Sequence, residues 1–407
     1  MQAGAKRNMV AAINALTALD DLLTRSDAFI AKMHALGAMP EGRKTLQRLF
    51  SPGEAAAMVG RDRTTLARAE AELDVGAPSR NPATNRRIGY SLEQIQAFRR
   101  HFGTLPWRDD KTDKPLVIAH QNFKGGTGKS TTCVNFAHFL ASRGYRVLVV
   151  DTDSQATTTS FFGYVPDRDL TREDTLFPYL NSESPSLDYA IRQTHWPNLH
   201  LIPACLGLSD VEIGGILALA QKHTAQERLD FFRELRFGLE EVASRYDVIL
   251  IDTPPALGVT ALMVLMAADA LIIPTTAKMA DFASTVQFLR MGREYISRLD
   301  PHKEYLWRRV LITQFSRRGK QSKETKSLQE QFVEAMQGIF GDAKFQHVVH
   351  EAVEVQVAAA TFTTPYEQER PNRRVLAQLD SVFEEIEIAI KRCWPSKADE
   401  LLARGLV

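Results

Sequence analysis

The stretch Phe123-Lys124-Gly125-Gly126-Thr127-Gly128-Lys129-Ser130-Thr131 constrains the fold more than any other part of the chain. It fits the phosphate-binding pattern G-x-x-x-x-G-K-[ST] loosely. Phe123 takes the place of the first glycine, and Gly125 and Gly126 fill the middle of the loop. Its neighbours supply the setting such a loop needs. Leu116 to Gln121 is an apolar run suited to a buried strand, and Thr131 to Arg143 spaces Val134, Phe136, Ala137, Leu140 and Ala141 as a helix that Gly144 stops. A second apolar run, Tyr145 to Val150, ends on Asp151. Glycines let backbone N–H groups approach phosphate oxygens, and a helix opening at Gly128 adds its positive end.

Two acidic segments accompany the loop. Asp151-Thr152-Asp153-Ser154-Gln155 follows one strand, and Val248-Ile249-Leu250-Ile251 runs into Asp252-Thr253-Pro254-Pro255. A carboxylate at a strand end suits a Mg²⁺ ion that keeps much of its hydration shell. The loop KGGTGKS resembles the deviant phosphate loop of the ParA/MinD family of P-loop ATPases. The acidic segments resemble that family's DxDPQ segment, with Ser154 for proline, and its IDTPP segment. The resemblance covers about residues 50–393. It implies ATP and Mg²⁺ as ligands, bound by Lys124, Gly125, Gly126, Thr127, Gly128, Lys129, Ser130 and Thr131. It further implies that Lys129 holds phosphates in its own subunit and Lys124 reaches the ATP of a partner subunit, so that ATP drives a homodimer. Ser130 and Asp252 would serve the Mg²⁺ ion, Asp151 would support it from behind, and Asp153 would position the attacking water. Phosphoryl transfer needs positioning and charge neutralisation more than covalent chemistry. With no strong general base visible, slow turnover is expected.

Composition excludes several alternatives. The three cysteines, Cys133, Cys205 and Cys393, are scattered and make neither a disulfide framework nor a zinc or cluster pattern. No apolar core follows Lys6-Arg7 and no apolar run reaches about 18 residues, so neither a signal peptide nor a membrane span is expected. A cytoplasmic, nucleoid-associated protein is expected. Net charge is only +1, so DNA binding would have to come from local patches.

The first hundred residues read as a different domain. Met9 to Leu36 carries an apolar stripe that includes Leu16, Leu19, Leu22, Leu23, Phe29 and Ile30. A lone helix cannot bury such a stripe, so it packs on its own domain or on a second subunit. Ser51, Pro52 and Glu54 open a short helix that ends at Gly60, and Thr64 to Leu73 forms the next. Helix, glycine, turn, helix is a helix-turn-helix signal. Arg61, Arg63, Thr64, Thr65 and Arg68 cluster at the start of the second helix, the end that enters a major groove. Asn81 to Tyr90, with Arg86 and Arg87, reads as a wing, and Ser91 caps Leu92 to Phe102. The unit resembles winged helix-turn-helix domains of the MerR type, and more closely the N-terminal region of larger plasmid ParA proteins, including RepA of RepABC replicons. The resemblance implies a DNA partition ATPase of a plasmid or chromosome: an ATP-driven dimer that binds non-specific DNA, a ParB-type partner that stimulates hydrolysis, and an N-terminal unit that binds operator DNA.

The expected organisation is an N-terminal helix over 1–48, a winged domain over 49–106, a linker over 107–115, an ATPase domain over 116–394 and a tail over 395–407. The ATPase domain keeps a strand–helix rhythm, so the fold class is α/β: a P-loop NTPase with a mainly parallel sheet covered by helices on both faces, plus the winged helical unit. Its ligand belongs at the carboxyl ends of the strands. Two basic clusters, Arg317-Arg318 with Lys320 and Arg373-Arg374, are candidates for non-specific DNA contact. Two rival readings are an ATP-gated repressor without a partition role and a membrane-cycling positioning ATPase of the MinD type. The latter would use the C-terminal run Ile386 to Trp394, which Glu384, Glu385, Glu387 and Pro395 dilute or break.

Overall fold

The computed structural model describes residues 14–35, 44–73, 78–80, 83–85, 87–316 and 328–406. Arg86, Arg317, Arg318 and Lys320 lie outside these residues, as does the start of the first expected helix.

Helix α1 (Ala15–Ala35) precedes a compact unit of α2 (Pro52–Val59), α3 (Arg63–Glu72), the short strands β1 (Ser79–Arg80) and β2 (Arg87–Gly89), and α4 (Leu92–Phe102). Ser51 and Glu54 form a reciprocal cap on α2, and Gly60 ends it with φ of 72°. Asp62 caps α3 through the N–H groups of Thr64 and Thr65. Strands β1 and β2 pair antiparallel. Gly89 passes so close to Phe50 that a Cβ would sit 2.3 Å from the Phe50 carbonyl oxygen, so only glycine fits there.

The larger part follows as β3 (Leu116–His120), α5 (Lys129–Arg143), β4 (Val147–Asp151), α6 (Thr157–Phe161), α7 (Phe177–Leu180), β5 (Arg192–Gln193), β6 (Leu199–Ile202), α8 (Asp210–Ala220), α9 (Ala225–Ala243), β7 (Val248–Asp252), α10 (Val259–Ala267), β8 (Ala270–Thr276), α11 (Met279–Leu299), β9 (Trp307–Thr313), α12 (Leu328–Phe340), α13 (Val353–Ala360), α14 (Arg373–Lys391) and α15 (Ala398–Ala403). The sheet order is β5-β6-β4-β7-β3-β8-β9. Every pairing in it is parallel except β5 with β6. The central strands are buried on both faces, which explains their unbroken apolar runs.

Successive residues of these strands feed two cores. Ile118, Val149 and Leu250 pack with α5 and α14, while Val117, Leu148 and Ile249 pack with α9, α10 and α11. The first core continues without a break into Phe50, Leu66, Ile95 and Phe98 of the N-terminal unit. The segment between the two parts is pinned down rather than loose. Trp107 donates its indole N–H to the Gly144 carbonyl at 2.8 Å, and Arg108 donates to the carbonyls of Ser244 and Tyr246.

The C-terminal run that a membrane-cycling reading would use is buried. Ile386 and Ile390 lie in the core, and Trp394 donates to the Lys114 carbonyl. No helix among the described residues is long and apolar enough to cross a membrane. The stripe on α1 has no cover among the described residues: Leu16, Leu19, Leu22, Leu23 and Phe29 are each more than half exposed.

Candidate functional site

Strands β3, β4 and β7 end level with one another, with His120 paired to Asp252 and Asp151 paired to Asp252 in register. The loop of residues 121–128 rises from this edge and turns into α5. Gly126 and Gly128 hold φ of 77° and 82°, a conformation that side chains resist, and nothing lies within 4 Å of where a Cβ on Gly126 would point. The loop is anchored at several points. The Asn122 amide donates to the Pro274 carbonyl and to Thr285, and Thr313 and Gln314 donate to the carbonyls of Thr127 and Gly126 at 2.7 and 2.6 Å. Phe123 packs edge-on against Phe288 of α11, with centroids 4.8 Å apart. That contact gives the bulky residue at the first-glycine position a role in holding the loop down.

Lys129 is buried and donates to the Lys124 carbonyl at 3.2 Å, so its ammonium lies over its own loop. Burial lowers its pKa, and Asp252 and Asp153 oppose that shift. The Lys124 side chain is about half exposed and points to Asp281 of the same chain, 4.0 Å away. A reach across a subunit interface requires it to leave that partner.

The carboxylates divide the work. Asp151 is fully engaged: one oxygen accepts from the N–H and hydroxyl of Thr159, the other from the Asp153 N–H. It shapes the loop that carries Asp153, which itself accepts from the Gln155 N–H. Asp252 is different. One oxygen accepts from the Thr158 hydroxyl at 2.7 Å, while Oδ1 is buried without a partner. Burial pushes its pKa up to about 6, against the nearby Ser130 hydroxyl, the hydrogen bond from Thr158 and the charge of Lys129. Burial and the neighbouring Asp252 also raise Asp151 well above the usual range. Two buried carboxylates side by side, one with an orphaned oxygen, fit a divalent cation held by Asp252 and Ser130. Mg²⁺ is therefore compatible with the residues present.

A cavity of about 230 Å³ opens beside the first turn of α5, lined by Thr131, Asn135, Gln314, Val349, Glu351 and others. The sequence reading had not singled out Gln314 or Glu351. The positive φ of Gln314, 51°, at the end of β9 is a backbone property that sequence spacing does not reveal.

A second polar cluster, His138, His195 and Glu367, brings three ligand-type atoms within 4.8 Å of one another. Its carboxylate is already taken by the His195 imidazole at 2.6 Å and the Thr364 N–H at 2.7 Å, with the Lys44 ammonium 4.0 Å away. That arrangement is a buried charge network tying the segment before α2 to the larger part.

The basic residues of the N-terminal unit are distributed unevenly. Arg61 lies over the Phe102 ring, and Arg87 makes a two-pronged pair with Glu70. Thr65 turns back to Asp62. Thr64 and Arg68, four residues apart on α3, remain exposed on one face, and Arg63 is exposed at its start. Arg373 and Arg374 are exposed at the start of α14.

Comparisons with known proteins identify the family. The AAA domain family profile matches residues 116–302. The chain is 34% identical over 334 residues to Protein SopA of Escherichia coli strain K12, spanning 81% of this chain and 83% of that one. It is 30% identical over 410 residues to a protein named as a replication protein A of Rhizobium rhizogenes, spanning 95% and 98%. A solved structure described as a partition protein covers 92% of this chain and 99% of its own, with a TM-score of 0.62 at 20% identity, and so shares the fold. With relatives at these identities over most of their length, and a phosphate loop, two strand-end carboxylates and a mainly parallel sheet in place, the chain belongs to the ParA family of P-loop ATPases.

Proposed function

We propose that this ATPase partitions DNA, with ATP hydrolysis timing a homodimer's hold on the nucleoid in the cytoplasm and a ParB-type protein stimulating release. The observation that carries this reading is the pairing of a buried loop lysine, Lys129, with an exposed one, Lys124, around a carboxylate with an unpartnered oxygen. Lys129 holds phosphate oxygens within the subunit. Mg²⁺, held by Asp252 and Ser130, neutralises phosphate charge when bound. Asp153 orients water. Lys124 exchanges Asp281 for the phosphates of a partner subunit, and the cavity beside α5 takes the base. Thr64 and Arg68 read operator bases while the wing residues Arg86 and Arg87 lie along the backbone, so the chain also represses its own operon.

The test is ATP turnover by the purified chain with and without non-specific duplex DNA, with light scattering on the same samples. Wild type should dimerise with ATP, bind DNA as that dimer and turn over slowly. Lys124→Ala should lose turnover and keep nucleotide binding. If Lys124→Ala matches wild type, the partition cycle is wrong. The packing of the N-terminal unit directly against α5 also favours a second reading, an ATP-gated repressor. Turnover that no DNA or partner accelerates would support it.

A further inference from the structure

Arg63 and Arg373 come from opposite ends of the chain, yet both line one cleft of about 740 Å³ between the N-terminal unit and α14. Arg48, Arg99 and Arg143 line it too, against Glu54 and Asp380, so the cleft carries five arginines and two carboxylates.

The three deeper arginines are occupied. Arg48 donates to the Tyr366 carbonyl at 3.0 Å and lies 3.7 Å from Glu54. Arg99 donates to the carbonyls of Met58 and Ser142 at 3.0 and 2.8 Å. Arg143 pairs with Glu384 and lies 3.9 Å from Glu387. The Tyr366 hydroxyl donates to Asp380 at 2.8 Å. Arg63 and Arg373 are different: both are exposed at the mouth, and neither makes a side-chain hydrogen bond or ion pair among the described residues. The Arg63 guanidinium reaches back over α2, where a Cβ on Gly53 would lie 2.7 Å from it. Arg373 is near enough for its charge to act on Glu54. Unpaired guanidinium groups on both lips of a positive cleft, one lip at the start of α3, suit a polyanion running across the mouth.

We infer that duplex DNA bound by the N-terminal unit also runs over the ATPase part, its backbone phosphates clamped between Arg63 of α3 and Arg373 of α14. The DNA-reading surface is thus composite. Residues that the sequence assigns to two different DNAs, operator and nucleoid, grip one. This rests on the operator-binding reading, but the two fail separately.

The test uses the full chain with ADP and EDTA, conditions without an ATP-driven dimer. Two duplexes are compared: one random, and one that the chain selects from a randomised pool. Affinity is measured across salt concentrations. Each neutralised phosphate contributes about 0.9 to the slope of log affinity against log salt, so Arg63→Ala and Arg373→Ala should each flatten the slope by about one. Base preference should not change. Arg373→Lys should restore most of the slope, because a phosphate accepts a point charge. Arg68→Ala should relax base preference instead. Undiminished nucleotide binding shows that each variant is folded. If Arg63→Ala flattens the slope and Arg373→Ala does not, DNA touches the N-terminal unit alone and the composite clamp is refuted. If the wild type selects no sequence, operator reading fails, and the slopes on the random duplex still decide the clamp.

Discussion

Replacing Asp252 with asparagine removes a carboxylate charge that burial disfavours. An aspartate in an unfolded chain titrates near 3.9, whereas burial holds Asp252 at about 6 in the fold. The group's folded pKa is raised, so the fold has its full stability below about pH 4 and loses it as pH climbs through about 6. A shift of about two pH units corresponds to about 3 kcal/mol at neutral pH. Asparagine keeps the acceptor for the Thr158 hydroxyl but turns the orphaned oxygen into an N–H group that lacks a partner. That costs about 1–2 kcal/mol. The metal-free Asp252→Asn protein should therefore be about 1–2 kcal/mol more stable than wild type at pH 8, an advantage that shrinks as pH falls and reverses by about pH 4, where only the cost of about 1–2 kcal/mol for the unpartnered N–H remains. Removing the Asp252 charge also relieves Asp151, whose raised pKa it helps cause, so that group adds to the difference at pH 8 without changing its sign. Urea denaturation in EDTA, from pH 4 to 8, reads the difference directly. Mg²⁺ with ADP should reverse the order by stabilising wild type alone, and ATP turnover by the variant should fall to background. A variant less stable than wild type at pH 8 in EDTA, or a difference that ignores pH, would refute the reasoning that Asp252 is a buried charge waiting for a cation.

Other perturbations isolate other parts of the molecule. Lys124→Ala should leave the urea midpoint unchanged, because a half-exposed pair at 4.0 Å is worth under about 1 kcal/mol, while steady-state turnover is lost. Glu367 should control acid stability. Burial favours its protonated form, but His138, the His195 hydrogen bond and Lys44 outweigh that and hold its pKa at about 2. Its contribution of about 3 kcal/mol is present above about pH 4.3 and disappears as pH falls through about 2, so Glu367→Gln should flatten acid unfolding over that window. Arg99→Met should cost about 1–3 kcal/mol and expose residues 103–115 to trypsin, since it strips two partly buried carbonyls of their donor. Leu19→Asp with Leu22→Asp should leave thermal stability unchanged because both side chains are over half exposed; if the stripe pairs with a second copy, sedimentation without nucleotide should shift to monomer.

What the sequence made legible follows from how far apart the interacting residues lie. The loop, the strand runs and the two terminal carboxylates are local patterns, and each strand buried on both faces advertises itself as an unbroken apolar run. The cap at Ser51 with Glu54 and the cap at Ser91 were legible for the same reason, since cap and helix start are adjacent in sequence, while Gln94 as the reciprocal partner of Ser91 came from the structure. Contacts between distant segments left no such mark. Nothing in the spacing of Lys124 announces Asp281, and nothing in the run after β9 announces that Gln314 ties down the phosphate loop. The stretch between Phe161 and Val248, with an edge strand of two residues and the helices α8 and α9, has no motif to start from, so β6 and its neighbours emerged only with the fold. The junction of the two parts shows the limit most clearly. Residues 107–115 are polar and contain proline, the composition of a linker, yet Trp107 and Arg108 fasten them to the carbonyls of residues 144, 244 and 246. Gln96 and Arg99 of α4 bind the carbonyls of Ala141 and Ser142 at the far end of α5. The helix that opens at the phosphate loop is thus the same helix on which the N-terminal unit stands. A change in how α5 sits has a direct path to that unit, and this contact, rather than the exposed linker that composition suggests, is where communication between the nucleotide site and the N-terminal unit should be sought.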